Sequence, residues 1–126
     1  MIYTNLAALI LRVSMGAMML THGWGKFLNL TGDDPSFRDP IGIGELPSLF
    51  LAVIGEFICP LLIILGLKTR LASIPPIITM FVAGFIVHAD DPWGNKEKAM
   101  LYFAGFIVVF LLDSGNYSLD WKLKKV

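Results

Sequence analysis

The chain is short of the residues on which soluble enzymes and nucleic-acid binders depend. Cys59 is its only cysteine, which excludes an internal disulfide and any dithiol exchange within one chain. Charged residues make up only 16% of 126 positions, and ten Lys and Arg balance ten Asp and Glu. Charge of one sign is nowhere concentrated enough to neutralise a run of phosphates, so no nucleic acid is expected as a partner. What remains is apolar: hydrophobic residues reach 56%. A soluble domain of this length does not normally carry such an excess, and lipid is the place for it.

Four runs approach the roughly 20 apolar residues that a helix rising about 1.5 Å per residue needs to cross the hydrocarbon of a bilayer. They fall at 5–28, 47–67, 71–88 and 98–112; the last two are short and need tilt or local thinning. The expected fold is all-α, an integral membrane four-helix bundle forming a single membrane domain over residues 1–126. Residues 29–46, broken by Pro35, Pro40, Gly42 and Gly44, read as a polar external loop. Lys68, Thr69 and Arg70 form a tight turn that makes the second and third spans antiparallel neighbours. The N-terminal run has no basic lead and carries Arg12 inside it, so it reads as an uncleaved first helix rather than a secretory signal.

Four spans place both termini on one side. Lys68, Arg70, Lys122, Lys124 and Lys125 on that side outnumber Lys26, Arg38, Lys96 and Lys98 on the other, which predicts cytoplasmic termini. Trp24, Trp93 and Trp121 fall near span ends, as an aromatic belt requires. Pro75 and Pro76 read as the start of the third helix, where a missing N–H costs nothing. Pro60 lies mid-span and is expected to kink the second helix and free a carbonyl near Glu56.

An ionisable side chain at the middle of a membrane helix costs roughly 2.5–3.5 kcal/mol on insertion scales, so Arg12, Glu56, His22 and His88 are the residues to explain. On the first helix Arg12, Gly16, Met19, His22, Gly23 and Lys26 share one face, and on the fourth Tyr102, Phe106, Val109 and Asp113 do the same. Counting rise per residue puts Arg12 roughly 10 Å deep, Glu56 and Tyr102 roughly 16 Å, and both histidines roughly 25 Å. The expectation is that Arg12, Glu56 and Tyr102 meet in the bundle, with Arg12 paired to Glu56, and that the two histidines face each other above them. Arg12 and Glu56 read either as an ion pair fixing helix register or as groups handling a ligand. The bland readings of the others are solvated histidines and an interior tyrosine. Met15, Met18, Met19 and Met80 read as packing residues, since a thioether site needs several soft donors converging, and no metal site is expected. Cys59 reads as a small buried apolar residue.

Leu11-Arg12 with Gly16 and Thr21-His22-Gly23-Trp24-Gly25-Lys26 form one recognisable set of motifs. Gly55-Glu56, Leu65-Gly66-Leu67-Lys68-Thr69-Arg70-Leu71-Ala72, Val87-His88 and Gly115-Asn116-Tyr117-Ser118-Leu119-Asp120 come after them in order. Together they resemble the DoxX family of small bacterial membrane proteins over nearly the whole chain. The resemblance implies a four-helix bundle in the bacterial inner membrane. It also implies an association, in some relatives, with quinone-linked sulfur oxidation, with oxidative-stress complexes containing superoxide dismutase and a sulfurtransferase, or with resistance to quinone-like compounds.

The leading expectation is a quinone-interacting redox subunit of a larger oxidoreductase or oxidative-stress complex. Glu56, Arg12 and Tyr102 are the candidate catalytic groups, and His22, His88 and Lys26 the candidate surroundings of a quinone, since a quinone oxygen needs proton donors and a nearby cation. Its electrons would come from a partner subunit, such as an oxidoreductase or sulfurtransferase, or from substrate. Haem held by His22 and His88 is a minor alternative. From a different class, the chain reads as a non-catalytic anchor that recruits a soluble partner, with Gly16, Gly23, Gly84 and Gly105 serving helix packing and homo-oligomerisation.

Overall fold

The computed structural model describes residues 2–37 and 39–124. Arg38 and Lys125, both of which enter the charge bias, lie outside the described residues. Four long helices follow the apolar runs: α1 (Ile2–Leu30), α2 (Glu45–Leu65), α3 (Thr69–Val87) and α4 (Trp93–Leu112), with a short α5 (Leu119–Lys124) after them. Among the described residues there is no strand. The fold is an all-α integral membrane four-helix bundle. By length and composition α1, α2 and α3 can each cross a membrane; α4 has the length, but its first turns hold Lys96, Glu97 and Lys98.

Each helix packs against its neighbours in sequence, and α4 closes the ring on α1. The core between them holds Met15, Met19, Cys59, Ile63, Ala72, Met80, Ala99, Phe106 and Val109. Met15, Met19 and Met80 thus pack as expected, whereas Met18 is exposed. The outward faces remain apolar, with Ile10, Leu61, Leu71, Leu101 and Leu111 all exposed. That inversion is what a lipid-facing bundle requires.

Glycines set how closely the helices approach. A methyl group on Gly16 would lie 2.6 Å from the Ile64 side chain and 3.0 Å from the Pro60 carbonyl, and one on Gly23 would collide with the carbonyl of Glu56. Seven residues apart, these two glycines let the backbone of α1 lie directly on α2.

Two turns depart from α-helical winding. Ile54–Ile58 in α2 and Ala83–Val87 at the end of α3 are π-helical. The first lies just before Pro60, which has no N–H to give the Glu56 carbonyl four residues back. Gly23 packs against that carbonyl. Pro75 and Pro76 lie inside α3 rather than at its start, which corrects the reading of them as helix-initiating residues. They withhold N–H donors from the carbonyls of Leu71 and Ala72, four residues back, while nearby hydroxyls bond elsewhere along the helix, Ser73 Oγ donating to Thr69 O (2.6 Å) and Thr79 Oγ1 to Pro75 O (2.7 Å). Packing against α2 and α4 supplies the protein surroundings that such backbone needs in a membrane.

The loop between α1 and α2 is ordered by Asp39. Its carboxylate accepts from the backbone N–H groups of Gly42 (2.9 Å), Ile43 (3.1 Å) and Gly44 (2.7 Å) and from Ser48 Oγ (2.9 Å). The Gly44 amide, then the Ser48 hydroxyl and the other amides, hold the carboxyl below its usual range against a smaller opposing effect of desolvation.

Candidate functional site

Glu56 sits in the π turn of α2 and is only 3% exposed. Its carboxylate is paired with the ammonium of Lys26 from the last turns of α1, and Lys26 also lies over the Phe37 ring at 5.7 Å. A buried carboxylate left alone would be expensive, and the lysine answers it. Two cavities flank this pair. One, of about 320 Å³, is lined largely by apolar groups, among them Phe37, Ile41, Leu51, Ile78 and Val82, and reaches Lys26, Glu56 and His88. The other, of about 220 Å³, is the more polar of the two: beside Met19, Met80, Ala83 and Ala99 it brings His22, His88, Asn95, Lys98 and Tyr102 around the same carboxylate.

His22 packs edge-on against Tyr102, ring centroids 5.6 Å apart. His88 closes the π turn of α3, its backbone N–H donating to Ala83 O (3.0 Å). Its Nδ1 lies 2.7 Å from Asp91 Oδ2. The two histidines do share a cavity, but Glu56 and Tyr102 line it with them, so the layers expected from residue depth collapse into one.

Arg12 is elsewhere, and the expected Arg12–Glu56 pair does not form. The guanidinium, 1% exposed, donates to the carbonyls of Ile63 (2.9 Å), Ile64 (2.6 Å) and Tyr117. The first two belong to the C-terminal turn of α2, which Gly66 ends in the left-handed conformation, with Leu67 N–H donating to Leu62 O and Gly66 N–H to Ile63 O. A cation is favoured at such a terminus because carbonyls there lack helical partners. Asp120 completes the arrangement. Its carboxylate accepts from the N–H groups of Lys68 (2.7 Å) and Thr69 (3.0 Å) at the start of α3, while its own N–H donates to Gly66 O.

The motif residues therefore gather at two ends. Arg12, Gly66, Lys68, Thr69, Tyr117 and Asp120 form a knot of backbone hydrogen bonds at one; His22, Lys26, Glu56 and His88 line the cavities at the other, with Gly23 packed on the Glu56 backbone. A family profile described as DoxX matches residues 7–89. The chain belongs to the DoxX family. Among relatives similar to this DoxX chain, an uncharacterized protein of Haemophilus influenzae is 31% identical, over 91% of this chain and 89% of its own. The inner membrane protein YqjF of Escherichia coli is 25% identical, over 96% and 95% respectively. An uncharacterized membrane protein of Mycobacterium tuberculosis, Rv3486, is 29% identical, over 94% and 82%. No solved structure matches the chain.

In this DoxX protein the sequence reading missed the Lys26–Glu56 pair, the contribution of Asn95 and Lys98 to the polar cavity, and the pairing of His88 with Asp91. The i, i+3 spacing of His88 and Asp91 across a turn was the available signal. Nothing in the spacing signalled Glu56's partner, because the π turn changes the direction in which Glu56 points.

Proposed function

We propose that this DoxX protein binds the headgroup of a quinone beside Glu56 and serves as the quinone-interacting subunit of a larger inner-membrane oxidoreductase or oxidative-stress complex. The observation that carries this reading is the cavity of about 320 Å³ with apolar walls and a floor of Lys26, Glu56 and His88. Its size falls within the roughly 300–1,000 Å³ of sites that enclose small ligands, and it combines apolar walls with few polar groups in the same way. Leu51 and Ile78 on its lining are 50% and 58% exposed on the lipid-facing surface, so a membrane-dissolved ring has a route in from the bilayer.

The ring lies against Phe37, Ile41 and Val82. Lys26 offers N–H donors to its oxygens, as does His88 in its imidazolium form, and Glu56 holds the lysine in place and exchanges protons. Reduction of a bound quinone takes two electrons and two protons; the electrons come from a reducing partner subunit, and this chain's part is binding and proton handling. The histidine-lined cavity, at about 220 Å³, lies below the range for larger ligands, so haem is not carried into the proposal.

Titration of the detergent-purified protein with a short-chain ubiquinone, followed by tryptophan quenching, tests this. Saturable binding is expected, and Ala52→Leu, which fills the cavity from α2, is expected to weaken it at least about tenfold, or about 1.4 kcal/mol. Absence of saturable binding, or an unaffected Ala52→Leu, overturns the reading. Arg12 favours the anchor alternative to this extent: its two terminal nitrogens hold backbone carbonyls, while its buried Nε has no partner. Glu56→Gln separates the two, because an anchor keeps its partner without Glu56 while a quinone site loses activity with assembly intact.

A further inference from the structure

The two cavities on either side of Glu56 differ in how polar they are, and among the described residues Glu56 and His88 are the titratable side chains that line both. Glu56 is sequestered, whereas the side chain of His88 is 38% exposed and that of its partner Asp91 41%. An imidazole open to water and a buried carboxylate thus share one small polar chamber. A water molecule occupies about 30 Å³ in the liquid, so a chamber of about 220 Å³ has room for several, with Asn95, Lys98, Tyr102 and His22 as hydrogen-bonding partners.

We infer that His88, oriented by Asp91, relays protons between water at the α3–α4 turn and the carboxylate of Glu56, so that protons reach Glu56 through the polar chamber and the apolar ligand through the other. The second clause rests on the quinone reading; the relay itself does not. With Asp91 ionised, Nδ1 keeps its hydrogen and donates to Asp91 Oδ2, which leaves Nε2 as the nitrogen that exchanges. A proton from water bonds to Nε2, giving the imidazolium. The Nε2–H bond then breaks as chamber water passes a proton to a Glu56 oxygen, leaving neutral imidazole and a carboxylic acid. The net change is one proton taken from bulk water, and no electron moves.

Other charged or titratable groups face this space from every packed element. His22 and Lys26 reach it from α1, Lys98 and Tyr102 from α4, and Asp91 from the turn that carries His88. Lys26 is engaged with Glu56 itself, and the His22 ring is packed against Tyr102. Among the described residues His88 alone joins a carboxylate partner at the water's edge to a place in both cavities. The π turn Ala83–Val87 is what delivers it there, by adding a residue to the last turn of α3.

The test uses the full chain in lipid nanodiscs without quinone. After a rapid drop in pH, the carboxyl infrared band that Glu56→Gln abolishes reports protonation of Glu56. His88→Gln is expected to slow that band at least about tenfold and imidazole added in solution to restore it. Asp91→Asn should slow it less, and Asp113→Asn, at the far end of the bundle beside Arg70, not at all. An unchanged rate in His88→Gln, slowing of the same size in Asp113→Asn, or a Glu56 band that never responds to pH overturns the relay. Should His88→Gln fail to fold, Asp91→Asn decides, and a wild-type rate there is fatal to the inference. Because no quinone is present, failure here leaves the binding titration standing, and failure of that titration leaves the relay standing.

Discussion

A guanidinium presents five donors and no acceptor, and at Arg12 the groups that answer it are backbone carbonyls of Ile63, Ile64 and Tyr117. Carbonyls have no letter in a sequence, which is why the partner expected for Arg12 was Glu56, an acidic residue inside a neighbouring span. One cue was available: Gly66 closes an apolar run, and a glycine at that position announces a helix end whose carbonyls need donors. Asp120 lies close enough to act on Arg12 electrostatically, yet its oxygens are given to the amides that begin α3. Lysine at position 12 would concentrate its donors at one point and could not span both chain segments. Arg12→Lys is therefore expected to lower stability by about 2 kcal/mol, read from reversible unfolding in mixed micelles, while short-chain quinone affinity stays at the wild-type value. Normal stability with lost affinity would return Arg12 to the ligand site.

The order and approximate extent of the four helices were legible because each apolar run is bounded by turn residues or charge, and lipid imposes a minimum length on each. The π turns were not. A π turn is an α-helix with one residue added, and no residue type announces it; Ile54–Ile58 lies just before Pro60 in α2, and Ala83–Val87 ends α3 well beyond Pro75 and Pro76. Each added residue rotates the helix on its N-terminal side by about 100° against the helix on its C-terminal side. That rotation turns Glu56 toward Lys26, and in α3 it presents His88 to the cavities. Removing the exposed Ile58 should convert the first π turn to α-helix and swing Gly55 and Glu56 away from α1. Far-ultraviolet circular dichroism is expected to show the same helix content, and quinone quenching and the pH-sensitive Glu56 carboxyl band are expected to vanish together. Retention of both signals in the deletion variant would show that the π winding does not position the site.

On the scale of the whole bundle the chain divides its work between its ends. One end is fastened through Arg12, Gly66 and Asp120 and carries Lys68, Arg70, Lys122 and Lys124, with Arg70 held to the last turn of α4 through Phe110 O (2.9 Å). The other end carries the cavities, the Asp39-ordered loop and the His88–Asp91 turn. Which side of the membrane each end faces decides where the site takes its protons. The bias of Lys and Arg toward the fastened end predicts that this end, with both termini, is cytoplasmic, so His88 would draw on water outside the cytoplasmic membrane. Cys59 is the only cysteine and is buried, which makes single-cysteine labelling clean once it is replaced by alanine. Gly94 has open space around it and Lys122 is exposed, so Gly94→Cys and Lys122→Cys report one end each. With a membrane-impermeant maleimide, Gly94→Cys is expected to react in intact cells and Lys122→Cys only after lysis. The reverse pattern would place the site on the cytoplasmic side, with its protons drawn from the cell interior; labelling of both in intact cells would break the antiparallel arrangement on which the two-ended reading depends.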